Sequence, residues 1–527
     1  MAAAAMACFL TCTLMFMLAA ATAAPADSSR SRSAASLDAR LAWKVLDAAR
    51  TFQDCFGAVD VSLWPPETAL QCGRHSRSIT NGSSCEGART AVLLLAYDRP
   101  AYLERALSAL LERHPLASAS SRQRWRNALC AHSFEVFVSQ DLQLVSAHSA
   151  EVSRVIERAK ARAKVSGSVR VHHWVHDQQV DATVRTFPAV HAAYMRVSRH
   201  YFYALWRLFA LRETHADSES ESTVYHSACD LEITQRALHP FPRAPLPLET
   251  LLGDLSSCSE DASADPDRGA PFAFDDVIVL EDDLEIAPDF FEYFAALRTA
   301  TAHDDSVFTI SAWNDNGRAE LAFDARTLHR TDFFPGLGWL LRRPLWDELQ
   351  PKWPSMYWDD WMRAREQLRG RHSIRPEMSR TGNFGEHGVS RGLYFEQHIT
   401  QVQLSSEYVP FRTSTDPDDA QLVGQIELHR YRTNFYSRLS HAVRLRAPSH
   451  VLKHAPHDAD IVLEFNGFGA LTKHLGLQGD ERGGVRRGSF DGIVVFGYNR
   501  RFWGFAVPRN RSLLSAMPSW ATVGRPQ

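Results

Sequence analysis

Apolar residues between about residues 89 and 312 fall in short unbroken runs, separated by stretches with the spacing of amphipathic helices. Residues 91–96 (Ala-Val-Leu-Leu-Leu-Ala), 134–138, 169–175, 277–280 and 307–312 read as strands. Runs without polar alternation are what a strand covered on both faces needs. Residues 100–112, 152–163 and 194–212 carry helical periodicity between them. Strands alternating with helices predict an α/β fold, a mostly parallel sheet with helices on both sides. Such sheets bind ligands beyond the carboxyl ends of their strands. Past about residue 420 the pattern changes: strands at 461–465, 493–496 and 502–507, a short helix at 468–475 and a turn at Asn499-Arg500-Arg501 predict a smaller α+β domain.

Two stretches stand outside this alternation. Residues 213–274 hold Asp217-Ser218-Glu219-Ser220-Glu221-Ser222, several prolines and a second acidic run, and read as a polar insertion. Residues 1–26 carry no charged side chain and centre on Leu14-Met15-Phe16-Met17-Leu18. They fit a cleaved signal peptide, with Ala21-Thr22-Ala23 as a small-residue cleavage context, or an uncleaved anchor. Both place the rest of the chain in the secretory lumen. Arg30 and Arg32 follow the run and no basic residue precedes it, which favours the signal peptide. The resulting division is 1–26 leader or anchor, 27–87 stem, 88–385 α/β domain with the polar insertion, 386–421 loop and linker, and 422–515 C-terminal domain.

Net charge is −3, from 58 basic and 61 acidic residues, so the chain lacks the basic footprint of a nucleic-acid binder. Of eight cysteines, Cys8 and Cys12 lie in the apolar leader. The remaining Cys55, Cys72, Cys85, Cys130, Cys229 and Cys258 show no zinc-like spacing, and their pairing is open.

Four clusters carry chemistry. Glu281-Asp282-Asp283 ends the apolar strand at 277–280. Three crowded acids there suit a divalent cation with oxygen ligands, Mg²⁺ or Mn²⁺; a solvated strand end is the alternative. In extended backbone Glu281 and Asp283 would face one way and Asp282 the other. Trp358-Asp359-Asp360-Trp361 sets two carboxylates between indoles, where burial can raise a pKa toward that of a general base; a helix cap is the alternative. Asp332-Phe333-Phe334-Pro335-Gly336-Leu337-Gly338-Trp339 fits a sugar-stacking wall or an ordinary buried turn. Gly382, Gly385, Gly388 and Gly392 predict a flexible loop able to close over a substrate.

In this order the clusters resemble the α-1,3-mannosyl-glycoprotein 2-β-N-acetylglucosaminyltransferase family. The resemblance runs through Glu281–Phe291, Ser311–Gly317, Arg330–Leu341, Glu348–Arg363 and Arg375–Thr381. It implies a GT-A nucleotide-sugar-binding fold with a smaller C-terminal domain. It also implies inverting transfer of GlcNAc from UDP-GlcNAc to the α-1,3-linked mannose of a high-mannose N-glycan, and a single-pass type II location in the Golgi membrane. By position, Asp283 resembles the Mn²⁺ ligand and Asp282 a nucleotide-sugar ligand. Arg99, Asp141 and His200 resemble the UDP contacts, Ser390 a contact on the closing loop, and Asp359 the catalytic base. Tyr97, Leu142, Thr309 and Ser373 stand where that family usually has cysteine. Competing expectations are an enzyme adding β-1,2-GlcNAc to O-linked mannose and an inactive lumenal glycan-binding protein.

Overall fold

A computed structural model describes residues 88–126, 132–142, 147–166, 169–177, 189–211, 273–386, 388, 395–411, 423–445, 458–498, 501–514 and 521–523. The leader, the stem, nearly all of the polar insertion, Ser390, all eight cysteines and the turn at Asn499-Arg500 lie outside them. Among the described residues no helix is long and apolar enough to cross a membrane.

Strands β1 (Ala88–Ala96), β2 (His132–Leu142), β3 (Val171–Asp177) and β4 (Asp276–Glu281) pair in parallel in the order β3-β2-β1-β4. β1 is flanked on both sides, so its side chains divide between two cores. Val92, Leu94 and Ala96 join one face; Ala91, Leu93 and Leu95 join the other. The first face is covered by α1 (Pro100–Arg113), α2 (Ala119–Arg126), α3 (Ala147–Ser166) and, later in the chain, a helix at Phe290–Ala300. α1 starts with Pro100 in its first turn, where the missing N–H costs nothing, and buries Leu103, Leu107 and Leu110 at helical spacing. The second face is covered by α4 (Ala189–Ala210) through Tyr201, Leu205 and Leu208. Each such side chain, fully buried, contributes about 1.5–3 kcal/mol.

Beyond β4 the sheet turns mixed. β5 (Leu284–Ile286) leaves it, α5 (Phe290–Ala300) follows, and β6 (Val307–Ser311), β7 (Leu328–Thr331), β8 (Trp339–Arg342) and β9 (His372–Pro376) complete eight strands in the order β3-β2-β1-β4-β8-β6-β9-β7. β8 is antiparallel to both β4 and β6. This is the mixed α/β sheet of the GT-A class, less uniformly parallel than the strand-helix alternation suggests. Between β8 and β9 run α6 (Arg343–Leu349), α7 (Trp358–Met362) and α8 (Arg365–Leu368).

The predicted flexible loop begins as structure. β10 (Thr381–Asn383) pairs antiparallel with β5. Just before it, Arg380 is locked to Asp289 at 2.9 Å with both side chains fully buried, and Thr381 Oγ1 donates to Leu337 O at 2.6 Å. Gly382 therefore belongs to a clasp, and glycine there lets Leu404 pack close, 3.3 Å from where a Cβ would stand.

The C-terminal sheet follows α9 (Leu428–His441). It contains β11 (Val443–Leu445), β12 (Ile461–Phe465), β15 (Ser489–Phe490), β16 (Ile493–Tyr498) and β17 (Phe502–Pro508), ordered β11-β12-β17-β16-β15. α10 (Phe468–Leu475) packs on one face, and α9 on the other. A separate two-stranded hairpin, β13 (Glu481–Arg482) and β14 (Val485–Arg486), lies between α10 and β15 in sequence.

Candidate active site

The carboxyl ends of the four parallel strands gather most of the residues singled out above. β1 leads to Tyr97 and Arg99, β2 ends on Asp141 and Leu142, β3 on His176 and Asp177, and β4 on Glu281. Asp282 and Asp283 occupy the turn that follows β4, so the extended alternation expected for the triplet does not hold. Arg99 instead reaches both: its Nη1 donates to Asp283 Oδ2 at 2.9 Å and its Nη2 pairs with Asp282 Oδ1. Tyr97 N donates to Asp282 Oδ2 at 3.4 Å. Glu281 turns the other way and accepts from Tyr201 Oη of α4 at 2.6 Å.

Crowding of these acids shows in their titration. Desolvation first, and then the charge of Asp283, push Glu281 up to about 7. Asp282 is raised to about 6 by desolvation, with Arg99 opposing and Asp283 adding to the rise. The clasp completes the pocket: Asn383 Nδ2 donates to Asp283 Oδ1 at 3.3 Å, and Phe384 N donates to Asp283 O at 3.0 Å. Gly385 lies so near that a Cβ there would stand 2.2 Å from Asp283 Oδ2. Neither Asn383 nor Tyr201 was visible to sequence reasoning, because each reaches the triplet across about 80 to 100 residues.

Asp141 and His200 sit in an adjoining cluster. Asp141 Oδ1 lies 3.1 Å from His176 Nδ1, and His200 Nε2 lies 2.9 Å from Ser139 Oγ. The two imidazoles stack at 5.5 Å with planes 7° apart. Burial drives the His200 imidazole down to about 4, so it is neutral at physiological pH. Ser390 lies outside the described residues, and Gly388 is the nearest described position of its loop, 3.7 Å from Arg99 Nη1 at a virtual Cβ.

Asp359 and Asp360 lie in the first turn of the five-residue α7, and neither caps it. Their side chains are each 40% exposed, so the half-apolar burial expected for the pair is not what tunes it. For Asp360, partial burial opposes ionisation, but the Arg482 hydrogen bond and the Arg363 charge win and hold its carboxyl below the usual range. Arg363 Nη1 donates to Asp359 Oδ2 at 2.8 Å and to Asp360 Oδ1 at 3.0 Å. The helix is bound to the acidic-triplet side through aromatic packing: Trp358 lies on Tyr201 with ring centres 4.1 Å apart, and on Trp339 at 5.8 Å. Tyr201 thus touches Glu281 with its hydroxyl and Trp358 with its ring.

The aromatic turn at 332–339 takes the buried alternative. Phe333, Phe334 and Trp339 are at most 1% exposed and form the floor under α7. Gly336 and Gly338, at φ +71° and +91°, supply the turn's left-handed backbone, with Leu337 between them at +48°.

Sequence reasoning also missed a second group of possible metal ligands. Asp332, His372 and Asp491 place one ligand atom each within 4.8 Å of one another, so the trio could hold a metal ion. Its oxygens already have donors, however. Asp332 accepts from Ser489 Oγ and Gly492 N at 2.8 Å and from Asp491 N at 3.0 Å; Asp491 accepts from Arg432 at 2.9 and 3.0 Å. The group joins the end of β7 and the start of β9 to the C-terminal sheet.

Residues 270–520 match the GNT-I family model. That stretch, a little under half of the chain, is what the chain shares with the GNT-I family. A curated relative, alpha-1,3-mannosyl-glycoprotein 2-beta-N-acetylglucosaminyltransferase of Arabidopsis thaliana, is 40% identical over 226 residues, covering 42% of this chain and 49% of the relative. The chain thus aligns with about half of that relative's length. The GNT-I segment supplies Glu281, Asp282, Asp283, Asn383 and Asp359, together with the whole C-terminal sheet. Arg99, Asp141 and His200 precede the matched residues, and the fold brings them to the same strand ends.

Proposed function

We propose that this protein is an inverting glycosyltransferase that moves GlcNAc from UDP-GlcNAc, in β-1,2 linkage, to the α-1,3-linked mannose of a high-mannose N-glycan. The observation that carries the reading is the junction of two carboxylate groups within the matched segment: Glu281, Asp282 and Asp283 at and after the end of β4, and Asp359 on α7, linked from Glu281 through Tyr201 and Trp358. Arg99 just after β1, Asp141 at the end of β2 and His200 on α4 would contact the UDP moiety, and Ser390 would do so from the closing loop.

Asp283 would hold the divalent cation, Mn²⁺ in this reading. Its surroundings fit such an ion: the donors are hard carboxylate oxygens, Arg99 bridging Asp282 and Asp283 marks the spot as one that draws positive charge, and burial first, with the Asp283 charge adding, drives Glu281 and Asp282 toward protonation. When bound, the ion supplies Lewis-acid stabilisation of the departing diphosphate. The chain's own part is acceptance of the proton. The mannose hydroxyl oxygen attacks the anomeric carbon, the bond from that carbon to the diphosphate oxygen breaks, and UDP leaves. Asp359 takes the hydroxyl proton, a role that its solvent-reaching carboxylate can fill. Because one displacement occurs, configuration inverts. Anchoring in the Golgi membrane through residues 1–26 belongs to the same reading, supported by the uncharged apolar leader.

The test is transfer of labelled GlcNAc from UDP-GlcNAc to a five-mannose N-glycan by the full-length protein, with Mn²⁺, with and without EDTA. Transfer is expected, abolished by EDTA and reduced about 10²–10⁴-fold in Asp359→Asn. Transfer to an O-mannosyl peptide in place of the glycan would overturn the acceptor. Binding of the glycan without transfer or donor hydrolysis would sink the enzymatic reading.

A further inference from the structure

The β13–β14 hairpin belongs by sequence to the C-terminal part of the chain, yet its tip contacts the helices that carry Asp359. Gly483 and Gly484, at φ +56° and +79°, make its tight turn. Gly484 O accepts from Arg365 Nη2 of α8 at 3.1 Å. Arg482 Nε donates to Asp360 Oδ1 at 2.8 Å. The root of the hairpin is fixed as well: Arg487, largely buried, pairs with Asp480 at 2.5 and 2.7 Å and with Asp315 at 2.5 Å. The hairpin is therefore a braced arm with a guanidinium at its end.

That guanidinium completes an alternating array of charges. Asp359 and Asp360 are adjacent anions, and a single nitrogen of Arg363 serves both, at 2.8 and 3.0 Å. Arg363 has little freedom to choose between them. Its Nε donates to Phe334 O at 3.2 Å, and its plane lies over the Phe333 ring at 5.1 Å. With Arg363 alone, the two carboxylates would compete for one donor and keep a net negative charge. Arg482 supplies Asp360 with a cation of its own. Arg363 Nη1 shares Asp360 Oδ1 with Arg482 and at the same time fixes Asp359 Oδ2, while Asp359 Oδ1 has no hydrogen-bond donor among the described residues and can receive a proton.

We propose that Arg482 is a positioning residue for the reaction, acting through Asp360 and Arg363 to orient Asp359. This rests on the assignment of Asp359 as the base. Other groups facing the array are Tyr201 from α4, whose field interacts with Asp359, and Asp480 at the hairpin root, whose charge acts on Arg363 and Arg482. Arg482 and Asp360 are 42% and 40% exposed, and exposed ion pairs contribute little to stability. Loss of Arg482 therefore leaves the fold in place and makes kinetics the informative measurement.

The experiment compares full-length wild type, Arg482→Met, Arg482→Lys, Asp360→Asn and the Arg482→Met/Asp360→Asn double variant, assayed for GlcNAc transfer from UDP-GlcNAc to a five-mannose glycan between about pH 5 and 8. Arg482→Met is expected to lower kcat about tenfold, with KM for UDP-GlcNAc nearly unchanged, because a misplaced base costs rate rather than donor binding. The acid limb of its kcat/KM profile should move to higher pH, since the unbalanced Asp360 charge makes Asp359 harder to ionise. Arg482→Lys should restore part of both. In the Asp360→Asn background, Arg482→Met should no longer move the limb. An unmoved acid limb in Arg482→Met, or equal shifts with and without the Asp360 carboxylate, overturns the proposal and leaves Arg482 as a mere strut. Absence of transfer by the wild type overturns the assignment of function beneath it.

Discussion

At the scale of single residues, the site depends on one missing methyl group. Gly385 is pressed against the Asp283 carboxylate: a Cβ at that position would lie 2.2 Å from Oδ2, 2.7 Å from Cγ and 2.9 Å from Cβ of the aspartate. Asp283 cannot simply retreat, because Arg99 and Asn383 hold its two oxygens and Phe384 N holds its carbonyl. Gly385→Ala is expected to displace this carboxylate and lower GlcNAc transfer by about tenfold or more. Unaltered activity in that variant would show that the position of Asp283 is not critical. The sequence made this aspartate visible because three acids at the end of an apolar run need an explanation. It left Gly385 as one of four similar glycines, since only the folded clasp shows which of them meets the carboxylate. The same limit hid Arg363 and Arg482, whose partners are set by tertiary approach. It also misjudged the Asp359-Asp360 pair, where flanking indoles suggested burial and the guanidinium groups dominate instead.

At the scale of elements, the parallel strands were legible because burial on both faces leaves a continuous apolar run. The antiparallel insertion of β8 between β4 and β6 was not, since four residues of pattern carry no information about direction. β6 and β9 offer a direct test of their pairing. Thr309 Oγ1 and Ser373 Oγ face each other at 2.8 Å between these parallel strands, 64 residues apart in sequence. Both hold positions at which the family resemblance leads one to expect cysteine, so a hydroxyl pair stands where side chains are close enough for a covalent link. The Thr309→Cys/Ser373→Cys double variant is expected to form a disulfide, contributing up to about 4 kcal/mol through the loop it closes. Thiol titration and thermal melting with and without reductant would check it. Two free thiols after oxidation would mean that the strands are farther apart, or less well aligned, than the hydroxyl contact implies.

At the scale of the whole molecule, buried histidines make stability depend on acidity. His114, His200, His329 and His372 are each lowered to about 4, with burial the leading cause. Above the ordinary histidine value of about 6.5 both folded and unfolded chains hold these rings neutral, so they exert no pH effect. Between about 6.5 and 4 the unfolded chain takes protons that the folded one refuses, and stability falls as pH falls. Glu281, raised to about 7, and Asp282, raised to about 6, work the other way, because there the folded state binds the proton first. His114 isolates one contribution. Its Nε2 lies 3.2 Å from Phe134 O, and its Nδ1 accepts from Leu116 N at 3.1 Å, an arrangement that a second ring proton would break. Replacing it with an amide that cannot titrate, His114→Gln, should remove about one proton from the linkage. The slope of unfolding free energy between pH 6 and 5 would then be shallower than that of wild type by about 1 kcal/mol per pH unit, whatever its effect on stability at neutral pH. Urea unfolding at the two pH values measures that difference. Equal slopes in the two proteins would mean that His114 binds its proton as readily folded as unfolded, and that its two hydrogen bonds do not hold it neutral.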